Sequence, residues 1–137
     1  MFSLTVRDHA MIAHSLPREA FGPAQKLHGA TFVVELTVRA ETLDENSTVM
    51  DIGEASKILA DVLDPLRYRN LDDHPDFDGQ LTTTEVIAQH VAGAAAERLR
   101  DRDHLAAVEA TLREHPDAWA SCTVELGGRP KGRRRRS

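Results

Sequence analysis

The chain has 137 residues, a formal net charge of −5 and 41% hydrophobic residues, which suits one domain with a substantial core. No apolar stretch approaches the roughly 18 residues that a membrane-spanning helix needs, and the charged N-terminal segment does not resemble an export signal. The single cysteine, Cys122, excludes an intrachain disulfide framework and fits a reducing compartment. We therefore expect a cytoplasmic protein without a membrane segment.

The basic residues are unevenly distributed along the chain. Residues 127–137 hold six of the 17 lysines and arginines and no acidic residue, so the remainder is strongly acidic. Glycine, proline and like charges cannot form a packed element, and we expect a domain over 1–126 and a disordered basic tail over 127–137. The tail is either a solvated end or a contact for nucleic acid or another acidic partner. Nucleic acid is the less favoured partner, because the acidic body lacks a face that combines aromatic and basic residues.

Six segments have the periodicity of regular secondary structure. In chain order they are strands over 3–15 and 29–41, helices over 52–64 and from Thr82–Thr84 to Leu99, and strands over 105–114 and 118–126. This order predicts an α+β fold in which a four-stranded antiparallel sheet carries two helices packed on one face. The strands at both chain ends become sheet edges that other subunits can cover.

Two histidines stand at the junction of the first two predicted strands. His14 ends the first strand and His28 opens the second, so a hairpin would bring them close together. Such a pair suits a metal ion, although a stable zinc site normally has three protein ligands. The alternative is a pair of partly buried, hydrogen-bonded histidines without metal. His9 lies five residues before His14 and faces the other side of the strand unless a bulge intervenes.

The residues around this pair resemble a known family. Ile12-Ala13-His14 and Leu27-His28-Gly29-Ala30 are similar to the small-small-His and Leu-His-Gly-His signatures of the 6-pyruvoyl-tetrahydropterin synthase / 6-carboxy-tetrahydropterin synthase family. The resemblance covers residues 2–126, with the family's motifs in order. It implies the tunnelling fold (T-fold), in which three sheets close a twelve-stranded barrel and two trimers stack into a hexamer.

The resemblance also implies a zinc ion, but the ligand set is incomplete here. The family's three zinc-binding histidines correspond to His14, His28 and Ala30, so zinc is expected to be weakly held or absent. The family's catalytic cysteine corresponds to Ala24. Two of the altered positions thus carry an alanine methyl where the family has a reactive group.

A further motif changes at the residues that support proton transfer in the family. Its Leu-Asp-His stretch corresponds to Leu66-Arg67-Tyr68, so Arg67 replaces the aspartate and Tyr68 the histidine. Tyr68 is a candidate replacement acid. The catalytic candidates are therefore His14, His28 and Tyr68, with the two histidines also acting as possible metal ligands.

The substrate-binding side of the family's site is better retained. The family's Pro-Thr-x-Glu helix start corresponds to Thr82-Thr83-Thr84-Glu85, and Thr83 and Thr84 are candidate binding residues, although such hydroxyls also simply cap a helix. The family's pterin-anchoring glutamate corresponds to Glu114, whose carboxylate can accept two parallel N–H donors. Since family sites lie between subunits, we expect Glu114 to serve a pocket whose histidines come from a neighbour.

The sequence therefore predicts a divergent lyase that acts on a pterin or similar heterocycle by proton transfer and elimination, in a homo-oligomer (trimer or hexamer). The family's reaction removes triphosphate from dihydroneopterin triphosphate and shifts protons along the side chain. The altered positions put that specific chemistry in question. The alternative is a non-catalytic pterin- or metabolite-binding oligomer that retains the binding residues alone.

Overall fold

A computed structural model describes residues 1–127 of the chain. The strands are β1 (Phe2–His14), β2 (His28–Ala40), β3 (Leu105–His115) and β4 (Ala118–Glu125), and the helices are α1 (Ile52–Leu63) and α2 (Thr84–Leu99). Short 3₁₀ turns punctuate the connections at Glu19–Gln25, Leu71–Asp73 and Pro75–Phe77. All six predicted elements are confirmed to within a residue or two at their ends. Of the predicted tail, all but Gly127 lies outside the described residues, so its disorder stays a prediction.

The four strands form one antiparallel sheet in the order β1-β2-β3-β4. Helix α1 packs against β1, α2 packs against β3 and β4, and the two helices contact each other. The α+β T-fold with both helices on one face is therefore confirmed. Among the described residues, no helix combines the length and apolarity needed to cross a bilayer.

Alternation along the strands separates a buried face from a polar face. Along β2, Phe32, Val34, Leu36 and Val38 are at most 2% exposed and pack under the helices. Helix α2 meets this face largely through buried alanines, which allow the helix to approach the sheet closely. A core built on alanine and branched aliphatic residues matches the low aromatic content of 4%.

The polar face of the sheet carries an ion-pair network. The Glu35 carboxylate in β2 accepts from Arg7 in β1 at 2.5 Å and from Arg113 in β3 at 3.1 Å. The Arg113 guanidinium also stacks 4.1 Å from the Trp119 ring on β4. Side chains of all four strands are thereby linked on the side away from the helices.

Antiparallel pairing brings the ends of three strands together at one end of the sheet, across the strand direction. His14 at the end of β1 pairs with His28 at the start of β2, and β3 runs towards the same end as it reaches His115. Helix α2 begins there too, since Thr84 contacts Glu114. This end of the sheet is where the predicted site residues meet.

Candidate metal centre and adjoining cleft

His14 and His28 face each other across the β1–β2 ladder, as the hairpin interpretation predicted. Their ring centroids are 4.6 Å apart, and both rings lie on the helix side of the sheet. His14 is 1% exposed, with the Phe32 ring 6.4 Å away, whereas His28 is partly exposed. One imidazole is therefore held in the protein interior and the other opens towards solvent.

Main-chain carbonyls fix the tautomer of both rings. Nδ1 of His14 lies 2.9 Å from the Thr82 carbonyl oxygen, and Nδ1 of His28 lies 2.8 Å from that of Lys26. A carbonyl oxygen only accepts, so each Nδ1 carries the proton and each Nε2 is left with a lone pair. Nε2 of His14 is buried and has no hydrogen-bond partner among the described residues. An orphaned lone pair inside a protein is costly and indicates a ligand position.

Burial favours the neutral form of His14. Removal of the ring from water lowers the pKa of His14 below its ordinary value, and the hydrogen bond to the Thr82 carbonyl offsets this only in part. Nearby His28 lowers the pKa of His14 further, while the more distant charges of Glu114 and Asp72 act in the opposite direction. A neutral imidazole is the form that binds a metal ion.

Glu114 joins the histidine pair from β3. One ligand atom from each of His14, His28 and Glu114 can be chosen so that all three lie within 4.8 Å of one another. Together they form a group that can hold a metal ion. The orphaned Nε2 and this mixed imidazole and carboxylate donor set fit the zinc ion that the family resemblance implies.

A β-bulge sets the direction of Glu114. In the β3–β4 ladder Arg113 pairs with Trp119 and His115 pairs with Ala118, so Glu114 is an extra residue without a ladder partner. Bulges of this kind re-aim a side chain and are frequent beside functional sites. The bulge follows the last β2–β3 pair, Val33 with Arg113, and so places Glu114 just beyond the regular sheet.

The expectation that Glu114 serves a neighbour's histidines stays a prediction, while within one subunit Glu114 already lies beside the subunit's own pair. The three side chains belong to one subunit, because β1, β2 and β3 are adjacent strands whose ends meet at one end of the sheet. The motif placed Glu114 on the last hairpin, but neither the register of β3 on β2 nor the bulge is visible in the sequence.

A cleft adjoins Glu114. It has a volume of about 490 Å³ and is lined by Thr84, Glu85, Glu114, His115, Ala118, Trp119 and Ala120. Its size lies within the range of small-molecule sites. Trp119, 56% exposed, lines the cleft beside the Glu114 carboxylate, and the Arg113 guanidinium covers one face of its ring. Shape and chemistry together suit a planar, polar-edged ligand.

The two candidate threonines behave differently at the start of α2. The Thr83 hydroxyl accepts the Val86 N–H at 3.2 Å and is the N-cap of the helix. The Thr84 hydroxyl points instead to Glu114, 3.5 Å from Oε1. Capping therefore accounts for Thr83, whereas Thr84 belongs to the cleft. A substrate-binding role remains a prediction for both.

The segment with Arg67 and Tyr68 runs along the outer edge of β1. Arg67 forms ion pairs with Asp8 and Asp64 and donates to the His9 carbonyl. Partial burial would raise the pKa of Asp8, yet the His9 N–H and Arg67 lower it overall. Arg67 thus has a structural role in fastening this segment to β1.

Tyr68 is 83% exposed and adopts the left-handed region with φ of 60°. This backbone is unusual for a bulky residue, and the Tyr68 N–H donates to the Met11 carbonyl at 2.7 Å. The described contacts of Tyr68 do not connect its hydroxyl to His14 or His28. The structure therefore does not place Tyr68 in the histidine site of its own subunit.

Three further residues that the sequence analysis singled out can be located. Ala24, at the family's cysteine position, lies in the 3₁₀ turn before β2, where its carbonyl accepts the Leu16 N–H. Cys122 lies within β4 opposite Ala110, away from the histidine end of the sheet. His9 pairs with Val33 on the polar face, as predicted, and is no ligand for this site.

Sequence reasoning missed the role of Thr82. This residue is 2% exposed and its carbonyl orients the His14 ring. The Lys26 carbonyl does the same for His28. Main-chain acceptors carry no sequence signature, and nothing in the residue types at 26 and 82 would have revealed them.

Comparisons with known proteins identify the family of the chain. Residues 3–125 match the family described as 6-pyruvoyl tetrahydropterin synthase. The 6-carboxy-5,6,7,8-tetrahydropterin synthase of Bacillus subtilis is 28% identical over 134 residues, covering 93% of this chain and 88% of that protein. The 6-pyruvoyl tetrahydrobiopterin synthase of Dictyostelium discoideum is 28% identical over 86 residues, covering 61% of this chain and 64% of that protein.

Solved structures agree at the level of the fold. The Caenorhabditis elegans 6-pyruvoyl tetrahydropterin synthase superposes with a TM-score of 0.77 at 22% identity, covering 90% of this chain and 95% of that one. The Plasmodium falciparum 6-pyruvoyl tetrahydropterin synthase gives 0.74 at 18% identity, covering 90% and 98%. With the match over nearly the whole domain, the chain belongs to the 6-pyruvoyl tetrahydropterin synthase family.

Proposed function

We propose that this protein is a divergent lyase of the tetrahydropterin synthase type, acting on a pterin or similar heterocycle by proton transfer and elimination. The observation that carries the proposal is the buried, unpartnered Nε2 of His14, beside His28 and grouped with Glu114, which lines the cleft. Such an atom is costly unless a partner engages it, and a ligand or reacting group supplies that partner. Membership of the family gives the class of reaction.

The cleft supports binding of a planar heterocycle. The Trp119 ring offers a stacking surface, and the Glu114 carboxylate beside it can accept N–H donors from the edge of a 2-amino-4-oxo pyrimidine. Thr84 supplies a hydroxyl next to that carboxylate. Thr83 contributes through the helix start that it caps. A side chain on the ring would then extend towards the histidines.

The two histidines are the proposed catalytic groups. Each imidazole has its Nδ1 proton held by a carbonyl, so Nε2 is the atom that accepts or returns a proton. His28, being partly exposed, can exchange that proton with solvent between turnovers. Tyr68 is proposed to act as an acid in the site of an adjoining subunit, because its side chain is exposed at the edge of β1.

In the alternative role, the same two Nε2 atoms of His14 and His28 would hold a divalent metal ion and would then no longer be free to move protons. When bound, a zinc ion supplies Lewis acidity that polarises oxygens on the substrate side chain. The incomplete histidine set, with alanine at position 30, supports weaker binding than three histidines would give.

We expect the protein to act as a cytoplasmic homo-oligomer with sites near subunit boundaries. The outer edge of β4 and the N-terminal half of β1 support subunit association, since an open edge is a surface for pairing. The C-terminal half of β1 is covered by the segment that contains Arg67 and Tyr68. A trimer or hexamer is the assembly proposed from the family resemblance.

The test combines turnover and metal content in one preparation. Purified protein is incubated with dihydroneopterin triphosphate, triphosphate release is followed, and bound metal is measured. We expect triphosphate release that His14→Ala abolishes. His9→Gln, an exposed histidine on the opposite face, is the matched control and retains activity. If no turnover is detected either with or without added zinc, the proposal that the protein eliminates triphosphate is wrong.

One observation favours a non-catalytic binding protein as the second candidate. Arg67 occupies the family's acidic position and is tied into ion pairs with Asp8 and Asp64, so it cannot take part in proton transfer. A pterin-binding protein of this kind would bind pterin tightly by calorimetry, and Glu114→Gln would weaken that binding. It would show no turnover with any dihydropterin, whereas a lyase would convert at least one.

A further inference from the structure

We propose that Glu114 is the third protein ligand of a divalent metal ion held by His14 and His28, in place of the histidine that Ala30 does not supply. The inference extends the proposed function, from which it takes the presence of a metal. It assigns the carboxylate a role different from anchoring a substrate. The three side chains converge within one subunit, with ligand atoms within 4.8 Å of one another.

The small side chain of Ala30 leaves space beside His28. Ala30 lies two residues further along β2, on the same face as His28, and pairs with Ile12. Its methyl group packs against the core and ends there. A histidine at this position would project into the volume next to the two imidazoles, and the alanine leaves that volume available to a side chain from the neighbouring strand.

The position of Glu114 at the end of β3 lets its side chain reach this volume. Glu114 is the extra residue of a bulge and has no partner in the β3–β4 ladder. Its side chain is not engaged by an arginine or lysine among the described residues, in contrast to Glu35 and Glu109 on the polar face. The contact that orients it is the Thr84 hydroxyl, 3.5 Å from Oε1. A carboxylate steered in this way by an outer hydroxyl resembles a supported metal ligand.

The donor atoms of the three side chains suit a divalent cation. Each imidazole has its Nδ1 engaged by a main-chain carbonyl, which leaves Nε2 as the donor atom. Two neutral nitrogens and one carboxylate form a donor set that suits zinc and related divalent ions and leaves a coordination position open. The carboxylate also offsets part of the charge that the ion brings to the buried His14.

The assignment has a consequence for substrate binding. A carboxylate that commits one oxygen to the metal can no longer receive two parallel N–H donors. The metal-loaded protein should therefore hold a heterocycle through one hydrogen bond at this carboxylate. Metal binding and tight anchoring of a 2-amino-4-oxo edge then compete for Glu114.

The test is a double-mutant cycle between positions 30 and 114, read out as metal affinity. Zinc affinity is measured by competition with a chromophoric chelator for the wild type, Glu114→Gln, Ala30→His and the double variant. We expect Glu114→Gln alone to weaken zinc by more than about tenfold, since even outer-shell partners are worth that much. In the Ala30→His background the same change should have little effect, because a third histidine takes over. Glu125→Gln, on β4 at the far end of the sheet, is the matched control with unchanged affinity.

Three outcomes would overturn the assignment. These are unchanged affinity in Glu114→Gln, an equal loss in both backgrounds, and absence of zinc binding in the wild type. Circular dichroism establishes that each variant folds. If Ala30→His does not fold, the visible spectra of the cobalt-substituted wild type and Glu114→Gln variant are compared. Loss of an oxygen ligand in Glu114→Gln would alter the ligand-field bands, and unchanged bands would show that Glu114 is not a ligand. Turnover is recorded separately, so that loss of catalysis with zinc affinity intact counts against the proposed function and not against the ligand set.

Discussion

At the scale of single residues, the same hydroxyl or ring can serve stability or function, and the contacts decide which. The buried Nε2 of His14 lacks a partner among the described residues, and a group of this kind costs about 1–3 kcal/mol in stability. Thr83 makes the opposite contribution, because its hydroxyl satisfies the Val86 N–H at the start of α2. His14 therefore lowers the stability of the fold, and Thr83 raises it.

Thr83→Ala should lower the free energy of unfolding by about 1 kcal/mol, as expected for loss of an N-cap. Urea denaturation measures the change, and Thr83→Ser is the control, since serine keeps the capping oxygen. The comparison also tests the binding role. If Thr83→Ser matches the wild type in stability but weakens pterin binding, the residue contacts the substrate as well as capping the helix.

At the scale of elements, the ion pairs of Glu35 connect three strands on the polar face. Hydrogen bonds from Arg7 stabilise the charged carboxylate and, with those from Arg113, lower the pKa of Glu35 despite partial burial. A carboxyl whose pKa is lowered in the folded state stabilises the fold above the unfolded pKa near 4.3. That stabilisation is lost as the pH falls through the folded value.

Glu35→Gln should therefore reduce stability by about 1 kcal/mol near neutral pH, in the range measured for ion pairs that are not deeply buried. The difference from the wild type should shrink as the pH falls below about 4, where the wild-type carboxyl becomes protonated. Urea denaturation as a function of pH checks both points. Glu125→Gln, an exposed glutamate without a described ion pair, should show no such dependence, and a difference that persists in acid would contradict the linkage.

The elements themselves could be predicted from the sequence, because their periodicity is local. Alternation in residues 29–41 and helical spacing in residues 52–64 are decided by neighbours a few positions apart. The approach of His14 to His28 could be predicted too, since a hairpin has one natural pairing. Glu114 could not be placed beside them, because its position depends on the register between β2 and β3 and on a bulge.

At the scale of the whole molecule, the arrangement of side chains within one subunit determines which site residues a neighbouring subunit can supply. His14, His28 and Glu114 are supplied by one chain, whereas Tyr68 is exposed on the outer edge of β1. The outer edge of β4 and the N-terminal half of β1 are the surfaces through which subunits of 15.1 kDa would associate. Light scattering should give a mass three or six times that value.

Mixed oligomers provide the sharper test of what is shared. Subunits with His14→Ala and subunits with Glu114→Ala should not restore activity when refolded together, because each subunit lacks part of the same cluster. Subunits with His14→Ala and subunits with Tyr68→Phe should recover activity if Tyr68 serves an adjoining site. Recovery of activity in the His14→Ala and Glu114→Ala mixture would contradict a cluster supplied by one chain. Absence of recovery in the His14→Ala and Tyr68→Phe mixture would contradict a role for Tyr68 in an adjoining subunit.

The carbonyls that hold the two imidazoles have a consequence for mutational robustness. Every amino acid supplies the same carbonyl, so Lys26→Ala or Thr82→Ala leaves the atom that fixes the ring in the chain. Alanine scanning would therefore score position 26 as dispensable for ring orientation, whereas Thr82→Ala also removes the Oγ1 that lies 3.2 Å from Nδ1 of His14. The support of His28 is set by the path of the backbone, and its role does not constrain the side chain at position 26.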